Sequence, residues 1–182
     1  MKIRKMILLV ILLIATDQII KIIINAFFIE TTFVIIPSLV EFTPVFNGKH
    51  SYINVLLNQY FDVDLGLWIH VISFLIFQAF ILFLYDFAKY KLSIGTKKLD
   101  YAMVLQLSAM ICALIGNILW KKGTLDYIYL KPLFIFDLKD FYNTCFMVIF
   151  PLILLIYRKQ LNSIKTSALL NHATNRFQKK EL

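Results

Sequence analysis

The run from Gly116 to Phe141, GNILWKKGTLDYIYLKPLFIFDLKDF, holds three of the eleven carboxylates in the sequence: Asp126, Asp137 and Asp140. Asp126 and Asp140 stand at opposite ends of a short connection between two apolar segments. A connection between neighbouring membrane helices returns to where it left, so its ends can be brought together. Two carboxylates a few ångströms apart cannot both ionise easily and tend to share a proton. Such a pair can activate water with its charged member and protonate a leaving group with the other. The chemistry within reach is hydrolysis at a membrane. Read on loop composition alone, the same aspartates beside Lys121, Lys122, Lys131 and Lys139 are solvated charge.

The elements that must position this pair are membrane spans. Of 182 residues, 60% are hydrophobic and the mean hydropathy is +0.76, well above the ~45–50% apolar content of soluble domains. The length allows about four spans of ~20 residues, in one domain over residues 1–158 with a basic tail over 159–182. The net charge of +8 does not point to nucleic acid, because the lysines and arginines flank apolar runs instead of lining one face. Cys112 and Cys145 fall inside predicted spans and read as free thiols. There is no C-x-x-C and no His/Cys cluster of ligand spacing, so no metal and no cofactor is expected.

The first span is predicted over 6–27. Lys2, Arg4 and Lys5 precede it as they would in a leader, but no small-x-small cleavage site follows, so it reads as a retained helix. It carries Asp17 and Lys21, i,i+4 neighbours on one face. A pair at this depth faces protein or water, and either locks helix packing or supports a site. Residues 28–62 change character. Phe, Val, Ile and Thr with Pro37, Pro44 and Asn47-Gly48 predict a small sheet. SYINVLLNQYFD then predicts a short interfacial helix with Ile53, Leu56, Leu57, Tyr60 and Phe61 on its apolar face. Further spans are expected over 65–87, 101–120 and 141–157. His70 and Gln78 lie inside the second, where a lone polar residue is more often a packing group than a ligand.

The N-terminus, the 88–100 loop and the tail hold thirteen Lys and Arg, whereas the two opposite loops hold five. By the positive-inside rule both termini are cytoplasmic, which puts the sheet, the interfacial helix and the acid pair on the outer face. The expected fold class is an all-α membrane protein: four transmembrane helices with a small extracytoplasmic β-sheet and an interfacial helix.

Several motifs, in order and at matching depths, resemble signal peptidase II, the bacterial lipoprotein signal peptidase. T-D-Q-I-I-K (Thr16 to Lys21) is similar to that family's D-Q-x-x-K, and F-T-P-V-F-N-G (Phe42 to Gly48) to its segment ending in Asn-x-Gly. Gly116-Asn117 matches its Gly-Asn, G-T-L-D-Y-I (Gly123 to Ile128) its first aspartate motif, and F-D-L-K-D (Phe136 to Asp140) its second. The resemblance covers roughly 5–157. The chain departs from the pattern at Trp120 and Lys121, where the family has Asp-Arg. It departs again at Asp137 in place of asparagine, at Lys139 in place of alanine, and in a first aspartate motif one residue shorter.

The resemblance implies an aspartic endopeptidase of the cytoplasmic (inner) membrane, working as a monomer without a cofactor. Its substrate would be a prolipoprotein cut just before a diacylglyceryl-cysteine. Asp126 and Asp140 would form the catalytic dyad. Asn117 would hydrogen-bond near it, Asp17 and Lys21 would brace the first helix, and Asn47 with Gly48 would position backbone near the substrate. Asp137 would support the site. The spans would give the lipid chains a groove, with the interfacial helix as lid. Two other readings stay open: a catalytically impaired relative that binds lipoprotein or lipid, and a small transporter subunit using Asp17 and Lys21 as a charge relay.

Overall fold

The computed structural model describes residues 1–92 and 96–162, and the predicted tail lies almost wholly outside them. The chain is a multi-pass membrane protein, and its described residues include four helices long and apolar enough to cross a bilayer. These are α1 (Ile3–Ile23, closed by a π turn, Ile24–Phe28), α3 (Leu67–Lys91), α4 (Thr96–Ile118) and α5 (Leu138–Ile156). Between α1 and α3 come β1 (Phe33–Ile36), β2 (Val40–Asn47) and α2 (Tyr52–Phe61). Between α4 and α5 come β3 (Thr124–Leu130) and β4 (Phe134–Phe136), and α6 (Arg158–Asn162) follows α5.

Helix α4 is the axis of the bundle. It packs against α1, α3 and α5, and 56% of its span is buried, against 22% or less for the others. Met6 and Val10 of α1, Ile81 of α3, Met103 of α4 and Phe146 and Phe150 of α5 meet around it. The remaining faces carry exposed Ile, Leu and Phe, as helices facing lipid should. At the end away from the sheet, buried Asp100 accepts from Tyr85 Oη (2.6 Å) and Lys89 Nζ (2.8 Å) and pairs with the Met1 amino group. Helices α1, α3 and α4 are thereby fastened together there. Cys112 and Cys145 are free thiols.

The four strands form one antiparallel sheet in the order β1-β2-β3-β4. Half of it comes from the segment between the last two spans, which the sequence reading treats as a plain loop. The alternation Leu125, Asp126, Tyr127, Ile128 is the strand signal there. Successive side chains point to opposite faces. Leu125 and Tyr127 therefore bury against Ile24, Ile20 and Phe46, while Asp126 turns the other way, on the same face as Asn47 and Thr124. Pairing of β2 with β3 shifts register between Phe42 and Val45. Pro44, with no N–H to donate, lies in that bulge.

Other boundaries differ too. Phe28 belongs to the π turn and not to the sheet, α4 starts at Thr96 instead of 101, and α5 starts at Leu138 instead of 141. Asp140 is therefore in a first helical turn and not at the end of a loop. In α2, Ile53, Tyr60 and Phe61 are exposed, as an interfacial helix facing lipid requires, while Asn54 is wholly buried. Its amide bonds Lys49 O, Asp64 Oδ1 and both backbone groups of Leu65. These bonds satisfy the backbone of the flanking loop.

Two glycines seat β3. A Cβ on Gly116 would come within 2.7 Å of Thr124 Oγ1, so its absence lets β3 lie against α4. Gly123 has φ +93°, and a Cβ there would be 2.3 Å from Asn47 O. Gly123→Ala should therefore cost more than the ~1–3 kcal/mol of a strained backbone position. Gly66→Ala, with nothing within 4 Å, should cost under about 1 kcal/mol. Thermal unfolding of both variants in detergent checks the ordering.

Candidate active site

Each of the predicted polar residues except Gly48 and Asn117 joins one linked cluster at the sheet end of the bundle. Asp126 is presented by β3, and Asp140 by the third position of α5. Asp137 is the N-cap of α5: its Oδ1 accepts the Asp140 N–H (3.1 Å), while Asp140 Oδ2 accepts the Asp137 N–H (3.2 Å). This reciprocal capping box fixes the two carboxylates relative to each other. One oxygen from each of Asp126, Asp137 and Asp140 lies within 4.8 Å of the others. The expected meeting of Asp126 and Asp140 is thus present in the structure.

What lies between them is not a shared proton. Lys139 Nζ is 3.1 Å from Asp126 Oδ1, 2.9 Å from Asp137 Oδ2 and 3.2 Å from Asp140 Oδ2. The ammonium takes the centre of the three carboxylates, the place a cation bound by this triad would occupy. Its side chain is only 12% exposed, because the turn of α5 that aims Asp140 at the site also aims its neighbour there.

A second lysine lies behind the first. Lys21 Nζ is fully buried, 2.9 Å from Asp17 Oδ2 and 2.6 Å from Asp137 Oδ2. Asp17 also accepts from Gln18 Nε2 (2.8 Å), and Gln18 Oε1 accepts from Trp120 Nε1 (3.1 Å). Acids and bases therefore alternate from Asp17 through Lys21, Asp137 and Lys139 to Asp126 and Asp140. Asp137 pairs with both lysines.

Asn47 Nδ2 reaches Asp126 Oδ2 at 3.4 Å, and its Oδ1 accepts the Lys49 N–H (3.0 Å). Asn117 does not bond the carboxylates. Its Oδ1 accepts from His50 Nδ1 (2.8 Å) and its Nδ2 donates to Ala113 O (2.9 Å). Gly48 keeps the turn after β2 close to Lys122 O. Three residues to which the sequence reading gives no role line up beside the site. His50 holds Asn117, and His70 takes the Ser51 hydroxyl at Nε2 (3.0 Å) while its Nδ1 donates to Gly66 O (3.1 Å). Ser51 caps α2 by accepting the Asn54 N–H, which accounts for this Ser–His contact structurally.

The carboxylates open onto a cavity of about 420 Å³, lined by Asp126, Lys139 and Asp140 at one end and by Phe74, Phe77 and Met110 among its apolar walls. Asp126 is buried and Asp140 nearly half exposed, with side-chain exposures of 8% and 43%. Burial raises the pKa of Asp126 above the ordinary carboxylate value, with the Asp137 charge adding to the rise and Lys139 opposing it. Asp137 is also buried, but Lys139 and Lys21 overcome that burial and hold it below the ordinary value.

Lys139→Ala removes a lowering influence, so the Asp126 pKa, already above ~3.9, should climb further. Carboxyl ¹³C shifts followed against pH in micelles read this directly. Lys21→Met would leave Asp17 buried without its cation and Asp137 with Lys139 alone, at a cost of roughly 3–5 kcal/mol, read as a lowered denaturation midpoint.

No protein-family model matches the chain, and no curated protein matches it. Two solved structures share its fold, both of bacterial membrane enzymes determined by the in meso method. The first, at 1.9 Å resolution, is 20% identical with a TM-score of 0.62, over 85% of this chain and 94% of the other. The second, at 2.3 Å, is 19% identical with a TM-score of 0.59, over 91% of this chain and 94% of the other. The architecture of four spans with a sheet at one end is thus that of known membrane enzymes.

Proposed function

We propose that this protein is an intramembrane aspartic endopeptidase that removes signal peptides from diacylglyceryl-modified prolipoproteins. It would work as a monomer in the bacterial inner membrane, with both termini cytoplasmic and the sheet end outward. The observation that carries the reading is the meeting of Asp126 and Asp140 at the mouth of an apolar cavity walled by membrane-spanning helices. The likeness in fold to membrane enzymes supports it, as do the five motifs that resemble signal peptidase II.

In this reading the peptide enters along the cavity and the lipid chains stay against the exposed apolar faces. Asp126 takes a proton from water as the water oxygen bonds to the scissile carbonyl carbon. Lys139 already supplies positive charge between the two acids, so it turns one N–H toward the carbonyl oxygen as negative charge builds there. Collapse of the tetrahedral intermediate breaks the C–N bond, and the proton held by Asp126 passes to the leaving amine. Asp140 keeps the ammonium in place and, being the more exposed, exchanges protons with solvent.

One observation favours a second reading, a relative that holds lipidated precursor without cutting it: Lys139 fills the gap where a dyad would share its proton. A transporter gains no such support, since Asp17 and Lys21 are closed off with no exposed surface.

Purified protein incubated with a diacylglyceryl-modified prolipoprotein separates the two. An active enzyme cleaves it, Asp126→Asn and Asp140→Asn fall to background at normal protein levels, and Lys139→Ala is slower. A non-cutting binder retains precursor uncleaved, and Lys139→Ala gains cleavage. Wild-type protein that neither cuts nor retains the precursor sinks both readings.

A further inference from the structure

The cavity that begins at the carboxylates ends on an unpaired amide in the middle of the membrane. Ala113, Met110, Ala109 and Gln106 line one face of α4, a run of about 10 Å at 1.5 Å per residue. Gln106 is 2% exposed, and its Oε1 has no hydrogen-bond partner among the described residues. On the neighbouring helix Gln78 is 9% exposed, and neither Oε1 nor Nε2 has a partner among those residues. The two lie at one depth. Gln106 is at the centre of the span Lys97–Ile118 and Gln78 at the centre of Leu67–Tyr90. The Tyr85–Asp100 hydrogen bond sets the register of these adjacent antiparallel helices, and seven residues further along each come Gln78 and Leu107. Unpaired amide groups in hydrocarbon are costly, and polar residues within spans mark substrate paths.

We infer that Gln106, which lines the cavity, forms a mid-membrane recognition point for a hydroxyl-bearing side chain, serine or threonine, in the membrane-embedded segment of the substrate. The chemistry selects this class. Gln106 Oε1 needs a donor, and a hydroxyl supplies one. A lipid ester accepts only, and acyl chains do neither. A helical peptide spends its backbone groups internally, leaving the side chain to make the contact. Taking the Gln106–Ala113 run of about 10 Å as the distance to the bond to be cut, the hydroxyl lies about three residues from it if extended and about seven if helical. This inference rests on the peptidase reading for the identity of its ligand.

The test uses full-length protein carrying Asp126→Asn, so that bound precursor stays intact, reconstituted in nanodiscs. Binding is measured for diacylglyceryl-modified precursor peptides bearing threonine or its isostere valine at each position three to seven residues before the cut. One position should favour threonine by roughly threefold to tenfold, the worth of a neutral hydrogen bond. Gln106→Met, which removes the unpaired Oε1, should abolish that preference. Gln106→Leu should do the same and serves if the first variant fails to fold. Equal affinity for threonine and valine throughout, or a preference unchanged in both variants, overturns the inference even if wild-type protein cleaves the precursors. Precursors that are neither bound nor cut overturn the peptidase reading and the inference with it.

Discussion

The constraint on which this molecule turns is that four acids and two lysines are held together at the end of a hydrocarbon-embedded bundle. A carboxylate taken from water alone would protonate or force its element to move. Here no acid is alone. Lys21 joins Asp17 of α1 to Asp137 at the head of α5, and Lys139 joins Asp137 to Asp126 and Asp140. The pairs join α1, β3 and α5, so electrostatics ties the first span to the last alongside the apolar packing around α4. The fold positions the acids, and the acids in turn fix the fold's ends.

This arrangement departs from a simple proton-sharing pair in a way that follows from helix geometry. Asp137 caps α5 and Asp140 returns the cap, so the intervening residues occupy a first helical turn whose orientation is set before any catalytic requirement acts. A lysine in that turn, beside a pocket with three negative charges, goes where the potential is lowest. Burying its stem costs little, since the four methylenes are themselves apolar.

Much of this was legible in the chain, and what was not has identifiable causes. Four spans follow from long apolar runs, because a hydropathy signal survives without knowledge of partners. The approach of Asp126 to Asp140 follows from connectivity. The strand bearing Asp126 was hidden because seven residues of mixed polar and aromatic type read as loop when one partner strand, β2, is distant in sequence and the other, β4, has only three residues. The capping box was visible as Asp-x-x-Asp ahead of an apolar run, and would have placed the start of α5 three residues earlier. The direction of Lys139 depends on that start. The burial of Asn54 in α2 could not be foreseen, since it is buried by loop backbone that has no pattern of its own.

The contact between Gly116 and Thr124 has a mechanical consequence. It fastens the strand carrying Asp126 to α4, the helix least free to move, whereas Asp140 rides on α5. The separation of the two acids is then governed by the angle between α4 and α5. Hydrophobic mismatch acts on such angles, because helices tilt to match the thickness of the surrounding bilayer. A thinner or thicker membrane therefore works on the acid pair as a lever, without any molecule entering the site.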